Sequence, residues 1–312
     1  MVAVGGGSVI DQAKLAVCLL EDHETYARLA VPQRSGMVTL PGRARRGSRL
    51  VAVPTTVGTG TELSAVACMD TDRGKRLIIS EMLRPDVAVI DAEATATLPV
   101  ELLAEGVLEA LFRVVSPYIG DHQDLPTEDA LAETIAERLV LLGHEVRDAR
   151  RTGHHPVARL RGEIAKLSGL SHAGWLVLGR HPYAVKGWLI ANELSWALKV
   201  RKMTAVAALL PHLWRNILRG DTRWGSRRRL DRMWARLRET APDVLPGDPE
   251  QGIAALLDFW GIDRRIAADA DRLEIVAGRT ARSWGAGLPM LGELTAADVR
   301  MLLEQAAGAS AR

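Results

Sequence analysis

The sequence opens with an apolar segment that runs directly into glycines and then into a helical pattern, and few folds contain this combination. Val2–Val4 has the character of a buried strand, Gly5–Gly7 follow it, and apolar residues recur at helical spacing from Val9 to Leu20. Such a junction directs backbone N–H groups and the positive end of the helix dipole to one point, where a phosphate can bind. Ser8 can cap the helix and donate a hydrogen bond to a phosphate oxygen. The alternative is a glycine turn that only permits tight packing.

Two further apolar segments, Arg49–Val53 and Val87–Ile90, are expected to be strands, because each is short and ends at a proline or an aspartate. Strands that alternate with helices and are apolar on both faces indicate a parallel α/β sheet. From Leu98 onward, helical spacing replaces this pattern. We therefore predict an α/β domain over residues 1–97 and an all-α domain over residues 98–312. The predicted helices of the second domain are Glu101–Val115, Thr127–Leu142, Val157–Leu178, Ala184–Val200, Thr204–Arg219, Arg227–Glu239, Pro249–Phe259 and Thr295–Ala307.

The sheet of the first domain is expected to lack its first strands. Met1 lies at the edge of a strand that should be buried, whereas a doubly wound sheet draws its neighbouring strands from preceding βα units of roughly 30 residues each. Either the sequence starts too late, or the domain is a remnant that borrows a partner. The well-formed strands that are present favour a late start.

Charge and composition exclude several classes of protein. The 312 residues carry 40 basic and 38 acidic side chains, for a net charge of +2, and 47% are hydrophobic, which excludes a disordered chain. No uncharged apolar stretch approaches a membrane span of about 18 residues, and no cleavable signal follows the N-terminus, so we expect a cytoplasmic protein with no membrane partner. Cys18 and Cys68 have neither metal-binding nor redox spacing and are expected to be buried thiols.

An arginine-rich segment between Arg215 and Arg238 has two interpretations. The arginines could bind the phosphates of a nucleic acid. They could instead form the solvated face of a helix, because Leu230, Met233 and Trp234 recur at helical spacing between them. The near-neutral net charge favours the helix face, so we expect no nucleic-acid partner.

A second glycine-rich segment, Pro54–Glu62, follows the strand predicted at Arg49–Val53. Its hydroxyls and glycines suit a loop around a polar ligand at the carboxyl end of a sheet, and a simple turn is the alternative. Together with four other segments in the same order, it resembles the iron-containing alcohol dehydrogenase family, and the resemblance spans essentially the whole sequence. The segments that carry it are VAVGGGSVIDQAK (Val2–Lys14), VPTTVGTGTELS (Val53–Ser64), RPDVAVIDAEATATLP (Arg84–Pro99), AALLPHLWRN (Ala207–Asn216) and GELTAADVRMLLEQA (Gly292–Ala306).

The resemblance implies a dehydroquinate synthase-like fold, in which a nucleotide-binding α/β domain precedes a helical domain and the metal and substrate lie in the cleft between them. It also implies NAD or NADP as the cofactor. The positions that match the family's cofactor contacts are Gly6, Gly7, Ser8 and Asp11 at the diphosphate, Thr55, Thr56 and Thr59 at the nicotinamide ribose and diphosphate, and Lys75 beside the ribose.

Two of these positions have a plain alternative. Asp11 could be a charge on a helix face, and Lys75 could be a cation beside a hairpin turn, since it follows Asp72, Arg73 and Gly74.

The sequence departs from the family at the metal ligands. The resemblance implies an Asp and a His four residues apart on one helix, followed by two more His. Here Glu109 and Arg113 stand at the first two positions, Trp196 at the third and Lys202 at the fourth. Arg, Lys and Trp offer no donor to a divalent metal, so we expect neither iron nor zinc to bind in the family manner. The histidines elsewhere lie in no ligand pattern and are expected to be structural or surface residues.

The replacements suggest that fixed charges take the place of the metal. Glu109 and Arg113 are spaced i, i+4 with the acid first, which favours an ion pair, and Lys202 would approach the same point from another helix. Either these side chains form an inert salt bridge in an abandoned metal site, or Arg113 or Lys202 polarises a carbonyl or stabilises an alkoxide. Glu109, Arg113 and Lys202 are therefore the candidate catalytic residues.

The function implied by the resemblance is an NAD(P)-dependent oxidoreductase that oxidises an alcohol or reduces a carbonyl. Its substrate would be a small molecule or a peptide, and a homo-oligomer is a candidate assembly. The alternative is a catalytically silent relative that serves as a binding or scaffold subunit, because the metal donors and the first strands are missing. A lyase that resembles dehydroquinate synthase is a weaker third option, since those enzymes also need a metal.

Overall fold

A computed structural model describes residues 1–21, 23–31, 33–40, 46–72 and 74–308. The chain divides into two compact units. The first unit comprises Met1–Ala110 and Asp148–Ala173, and the second comprises Leu111–Arg147 and Gly174–Arg312. The domain boundary between residues 97 and 98 stays a prediction. Every described element after that point is a helix or a turn.

The strands of the described residues all lie in the first unit and form two sheets of three strands each. They are β1 (Val2–Gly5), β2 (Met37–Thr39), β3 (Val51–Pro54), β4 (Val66–Thr71), β5 (Gly74–Ile79) and β6 (Val87–Ala88). One sheet has the order β1-β3-β6 and is parallel, with Ala3, Ala52 and Ala88 in register. This confirms the predicted parallel sheet, with ends shifted by one or two residues.

The two faces of the parallel sheet differ sharply. On one face Ala3 and Ala52 pack with Ile10 and Val17 in a buried cluster. The other face carries valines in parallel register, and four of them are between 42% and 65% exposed. We call this the valine face. Its exposed members are Val2, Val4, Val87 and Val89.

The second sheet, of order β2-β5-β4, was not predicted as a sheet; the sequence analysis anticipated only a hairpin turn before Lys75, as the alternative role of that residue. β2 pairs with β5 in parallel, and β4 pairs with β5 as an antiparallel hairpin. Its buried side packs against the first helix at Leu15 and Cys18. Cys68 of β4 is exposed, so the prediction of two buried thiols is wrong for this residue: its side chain points away from the face that packs on the helix.

Helices make up the remainder of both units, and the predicted helical series after Leu98 is confirmed. Two helices, at His23–Ala30 and Ala270–Trp284, were not predicted, and the helix predicted over Val157–Leu178 ends at Leu170. Within the described residues, no helix is both long and apolar enough to cross a membrane. The helices are α1 (Gly7–Glu21), α2 (His23–Ala30), α3 (Val100–Gly120), α4 (Pro126–Thr152), α5 (Ala158–Leu170), α6 (Lys186–Leu198), α7 (Lys202–Leu218), α8 (Arg227–Arg238), α9 (Pro249–Phe259), α10 (Ala270–Trp284) and α11 (Ala296–Gly308).

A buried charge cluster joins α4 and α8 in the second unit. Asp129 is fully buried and accepts hydrogen bonds from the guanidinium groups of Arg229, at 2.6 and 2.8 Å, and of Arg180, at 2.8 Å. Tyr118 donates to Glu133 at 2.6 Å, and burial followed by this contact raises the pKa of the tyrosine. Charged groups at such depth are tolerated because each is hydrogen-bonded to an opposite charge.

Most arginines of α8 are paired with acids of the same unit. Arg227 pairs with Asp231, Arg228 with Asp124, Arg229 with Asp129, Arg232 with Glu133 and Arg236 with Glu137. The apolar residues Leu230, Met233 and Trp234 are buried on the other side of the helix. The arginine-rich segment thus has the helical face that its spacing predicted, with ion pairs in place of simple solvation.

Candidate functional site

The glycine turn lies between β1 and α1 as predicted. α1 begins at Gly7, two residues before Val9, so Ser8 lies inside the helix and the prediction that it caps the helix is wrong. The first turn is closed by hydrogen bonds from Val9 N and Ile10 N to Gly6 O, at 3.0 and 3.2 Å. The N–H groups of Gly7 and Ser8 precede this first closing bond, at the positive end of the helix. Ser8 is exposed beside them. The junction therefore has the polarity of an anion-binding turn.

The Pro54–Glu62 segment folds directly over this glycine turn. A Cβ atom added to Gly7 would lie 2.7 Å from Thr59 Cγ2, and one added to Gly6 would lie 3.2 Å from Thr56 Cγ2. Thr55 N donates to Gly5 O at 3.0 Å. The structure thus brings Gly6 and Gly7 together with Thr56 and Thr59, and the two segments interlock because the glycines have no side chains.

Backbone conformation and two polar contacts hold the threonine loop in place. Gly58 has φ +99° and Gly60 has φ +60°, a region that strains any residue with a side chain. Gly58 N donates to Ser168 Oγ at 2.7 Å. His172 Nε2 lies 2.9 Å from Thr59 O and must donate, since a carbonyl oxygen only accepts. Sequence reasoning did not identify Ser168, because it lies 110 residues from the loop and matches no motif.

Asp11 is enclosed beneath the loop. It is 8% exposed; its Oδ1 accepts a hydrogen bond from Thr61 Oγ1 and its Oδ2 accepts one from Cys68 N at 2.9 Å. Lys14 is fully buried nearby and donates to Thr61 Oγ1 at 2.7 Å and to Val66 O at 2.8 Å. Burial lowers the pKa of Lys14 to about 8. These contacts tie α1 to the end of the loop and to β4, which is a supporting role.

Lys75 lies on β5 opposite Asp70 of β4, next to the pair Thr71 and Gly74 at the end of the hairpin. Its side chain is partly buried. Its assignment to the cofactor ribose stays a prediction, and the alternative of a cation near a hairpin turn agrees with its place in the sheet.

Glu109 lies on α3, where the threonine loop packs against that helix. A Cβ atom added to Gly58 would lie 2.6 Å from Gly106 Cα and 3.1 Å from Glu109 Cβ. The missing side chains of Gly58 and Gly106 therefore allow the loop to approach α3 closely. Glu109 is partly buried and stands next to the loop within the first unit.

Arg113 and Lys202 meet at one tryptophan of the second unit. Arg113 Cζ is 5.4 Å from the centroid of the Trp188 ring, and Lys202 Nζ is 4.3 Å from it. Phe112 packs on the same ring with a centroid separation of 4.8 Å. Trp188 is only 9% exposed. Sequence reasoning predicted that Arg113 and Lys202 would converge but missed Trp188, whose only signal was its place two helical turns before Trp196 on α6.

Trp196, which stands at the third metal-ligand position, also offers no donor to a metal. Trp196 lies between two cations, with Lys199 Nζ at 4.5 Å and Arg279 Cζ at 4.1 Å from its ring centroid. Among the described residues, no group of three or more His, Cys, Asp or Glu side chains is arranged to hold a metal ion. Arg113, Lys202 and Trp196 do not fit a divalent metal, because a guanidinium, an ammonium and an indole cannot ligate one.

Several known proteins are similar to this chain in sequence. The model of the family "Iron-containing alcohol dehydrogenase" matches residues 1–92. Long-chain-alcohol dehydrogenase 1 of Geobacillus thermodenitrificans is 28% identical over 214 residues, which cover 68% of this chain and 50% of that protein. The 4-hydroxybutyrate dehydrogenase of Cupriavidus necator is 35% identical over 174 residues, which cover 54% of this chain and 42% of that protein. The chain thus spans about half or less of the length of these curated relatives.

Solved structures share the fold along nearly the whole chain. The iron-containing alcohol dehydrogenase of Thermococcus thioreducens matches with a TM-score of 0.74 at 21% identity, covering 98% of this chain and 77% of that one. The sulfoacetaldehyde reductase of Bifidobacterium kashiwanohense, solved with NAD⁺, matches with a TM-score of 0.72 at 17% identity, covering 98% of this chain and 75% of that one. At these identities the likeness shows the fold.

Proposed function

We propose that the chain is a member of the iron-containing alcohol dehydrogenase family and that it is an NAD(P)-dependent oxidoreductase, which interconverts an alcohol and a carbonyl compound without a metal bound in the family manner. The observation that carries this proposal is the interlocked pair of segments at Gly6–Ser8 and Thr55–Thr59. The glycines keep the threonine loop next to the first N–H groups of α1, where a diphosphate would bind.

The residues of this pair suit a dinucleotide. The first N–H groups of α1 and the Ser8 hydroxyl would bind the diphosphate, and Gly6 and Gly7 leave the backbone open to it. The hydroxyls of Thr55, Thr56 and Thr59 would bind the ribose, with Lys75 beside it. Relatives support the cofactor class, since one is called an NADPH-dependent butanol dehydrogenase. When bound, the nicotinamide accepts or donates the hydride.

Fixed cations would supply the charge that the family obtains from its metal. Oxidation of an alcohol passes through a state in which its oxygen gains negative charge, and a preorganised cation lowers the energy of that state. Arg113 and Lys202 are held at Trp188, so little reorganisation is needed. Glu109, one helical turn before Arg113, is the third member of the proposed catalytic group. Arg113→Met combined with Lys202→Met should reduce turnover at least ten-fold, and unchanged turnover would remove this role.

A binding or scaffold subunit is the second candidate function, and the valine face favours it. An apolar face on a parallel sheet, next to the outer edge of β1, is a surface that another chain could cover. This function would require no nucleotide and would leave the glycine segments with a packing role.

Fluorescence titration with NADH and NADPH distinguishes the two candidates. We expect saturable binding at micromolar concentration by the wild type. Gly7→Ala should weaken it at least ten-fold, because the new Cβ displaces Thr59. Gly162→Ala is the matched control: it lies on α5 of the same unit, where a Cβ would meet only Ala92 Cβ at 3.7 Å. Binding by neither nucleotide to the folded protein would reject the oxidoreductase and favour the scaffold.

A further inference from the structure

The ammonium group of Lys14 lies in a cage of oxygen atoms within the first unit. The side chain is fully buried, and its Nζ atom donates to Thr61 Oγ1 at 2.7 Å and to Val66 O at 2.8 Å. The backbone and hydroxyl oxygens of Ser64 lie at 3.0 Å, and Asp11 Oδ1 lies at 3.9 Å. An ammonium has three N–H donors, so it cannot give each of the four nearer oxygens a hydrogen of its own. The cage therefore surrounds a centre of positive charge more closely than it matches three directed donors.

The oxygen cage forms where the threonine loop ends. Thr61 is the last threonine of the loop, and its hydroxyl accepts a hydrogen bond from Lys14 and donates one to Asp11 Oδ1. Ser64 follows the short helical turn that begins at Thr61, and Val66 is the first residue of β4. One ammonium thus connects α1, the end of the loop and a strand of the second sheet.

A positive charge at this depth is unfavourable in itself. Burial lowers the pKa of Lys14, although the charges of Asp11 and Glu62 act in the opposite direction. Carbonyl oxygens that converge on one point repel each other unless a cation lies between them, as in the sites where carbonyls replace the hydration shell of K⁺. The charge of Lys14 is therefore what allows the backbone oxygens of Ser64 and Val66 to face the same point.

From this geometry we propose that Lys14 is a positioning residue of the nucleotide site, and that its ammonium acts as a built-in monovalent cation around which the end of the threonine loop folds. The cation cage is argued from the contacts of Lys14 alone, whereas its effect on a nucleotide rests on the proposed function. A free monovalent cation should therefore be able to replace the ammonium when the side chain is removed.

Lys14→Ala tests the cage by chemical rescue. The substitution removes Cγ, Cδ, Cε and Nζ, and n-propylammonium carries the same carbons and nitrogen. The variant is refolded from urea with propylammonium chloride, so that a closed cage does not exclude the ion. Tetramethylammonium chloride at equal ionic strength lacks N–H donors, and 1-propanol lacks the charge. We expect only propylammonium to raise the melting temperature of the variant, because a ligand that binds the folded state alone stabilises it, and we expect no such difference for the wild type.

NADH titration of the same samples measures the positioning role. Lys14→Ala should bind NADH about ten-fold more weakly than the wild type, since the loop end loses its charge-assisted contacts, and propylammonium should restore most of the affinity. Lys166→Ala is the control for the loss of a lysine, because Lys166 pairs with Glu163 at the surface of the same unit. Asp129→Asn is the control for lost stability: it changes the second unit and should leave the NADH affinity of the folded protein unchanged.

The outcomes separate this inference from the proposed function. Equal melting temperatures of Lys14→Ala in propylammonium and tetramethylammonium would overturn the inference, and so would a variant that stays unfolded in both, because the cage would then accept no free cation. Rescue of the melting temperature without rescue of NADH affinity would overturn the positioning role. If the wild type binds no NADH while propylammonium still stabilises Lys14→Ala, the cation cage is supported and the proposed oxidoreductase is rejected.

Discussion

Asp129→Asn should destabilise the protein strongly, because it removes the negative charge at the centre of the α4–α8 charge cluster. Asp129 is fully buried, and the side chains of Arg229 and Arg180 that bind it are 0% and 1% exposed. Asparagine has nearly the same shape and can still accept a hydrogen bond. The substitution therefore changes charge far more than packing, and it leaves two guanidinium groups buried with less compensation.

The magnitude follows from the geometry in two ways. Removing one partner of a buried ion pair costs about 3–5 kcal/mol. Burial alone would raise the pKa of Asp129, but the hydrogen bonds from Arg229 and Arg180 outweigh it and lower that pKa from 3.8 to about 2. This difference corresponds to about 2.4 kcal/mol of stability at neutral pH. Because the folded pKa is depressed, that contribution is present above pH 3.8 and is lost as the pH falls toward 2.

Urea unfolding followed by tryptophan fluorescence measures the effect, and Asp124→Asn is the control. Asp124 also binds Arg229, at 3.0 Å, and Arg228, but its side chain is 48% exposed. It should cost less than about 1 kcal/mol, as exposed ion pairs do. Equal shifts of the unfolding midpoint in the two variants would refute the reasoning, since burial would then have no influence on the value of these pairs.

Three further predictions concern buried groups and close contacts. Burial lowers the pKa of His212 from 6.5 to about 4, so its contribution to the free energy of unfolding is complete above pH 6.5 and should fall by about 3 kcal/mol as the pH drops to 4. In urea unfolding measured between pH 6.5 and 4, His212→Asn should remove this pH-dependent loss. Burial also lowers the pKa of Lys14 from 10.5 to about 8, so the unfolded chain holds more protons in that window and stability should rise from pH 8 to 10.5, a rise that Lys14→Met abolishes. Gly120→Ala places a Cβ on the carbonyl oxygen of Ala184 and should lower the melting temperature by several degrees, whereas Gly162→Ala should leave it unchanged or raise it slightly.

Local patterns in the sequence were enough to predict the parallel sheet and most helices. β1, β3 and α1 are apolar segments with clear glycine or proline ends, so a single strand or helix signal identifies them. The hairpin of β4 and β5 was harder, because only one of its faces is buried and its strands contain Asp70, Lys75 and Arg76. β2 has three residues, too few for any periodicity to be read.

In the candidate site, too, the features that depend on local residue types were predictable and those that depend on tertiary packing were not. The glycine turn and threonine loop carry their geometry in their residue types, because only glycine permits the approach of Gly6 and Gly7 to Thr56 and Thr59. Trp188 could not be predicted, since its two cations come from α3 and α7 and meet only through tertiary packing. Ser168 likewise supports the loop from a remote helix.

The ion pairs of α8 weaken the electrostatic field that this helix produces at long range. Each of five arginines on this helix is matched by an acid within the same unit, so the helix presents a row of small dipoles instead of a cationic surface. The field of a dipole decays faster than that of a charge, and beyond a Debye length of about 8 Å little of it remains. A polyanion approaching α8 would have to displace a carboxylate that is already in place. The arginines of α8 therefore stabilise contacts within the second unit, and their number does not predict long-range attraction of this helix to a polyanion.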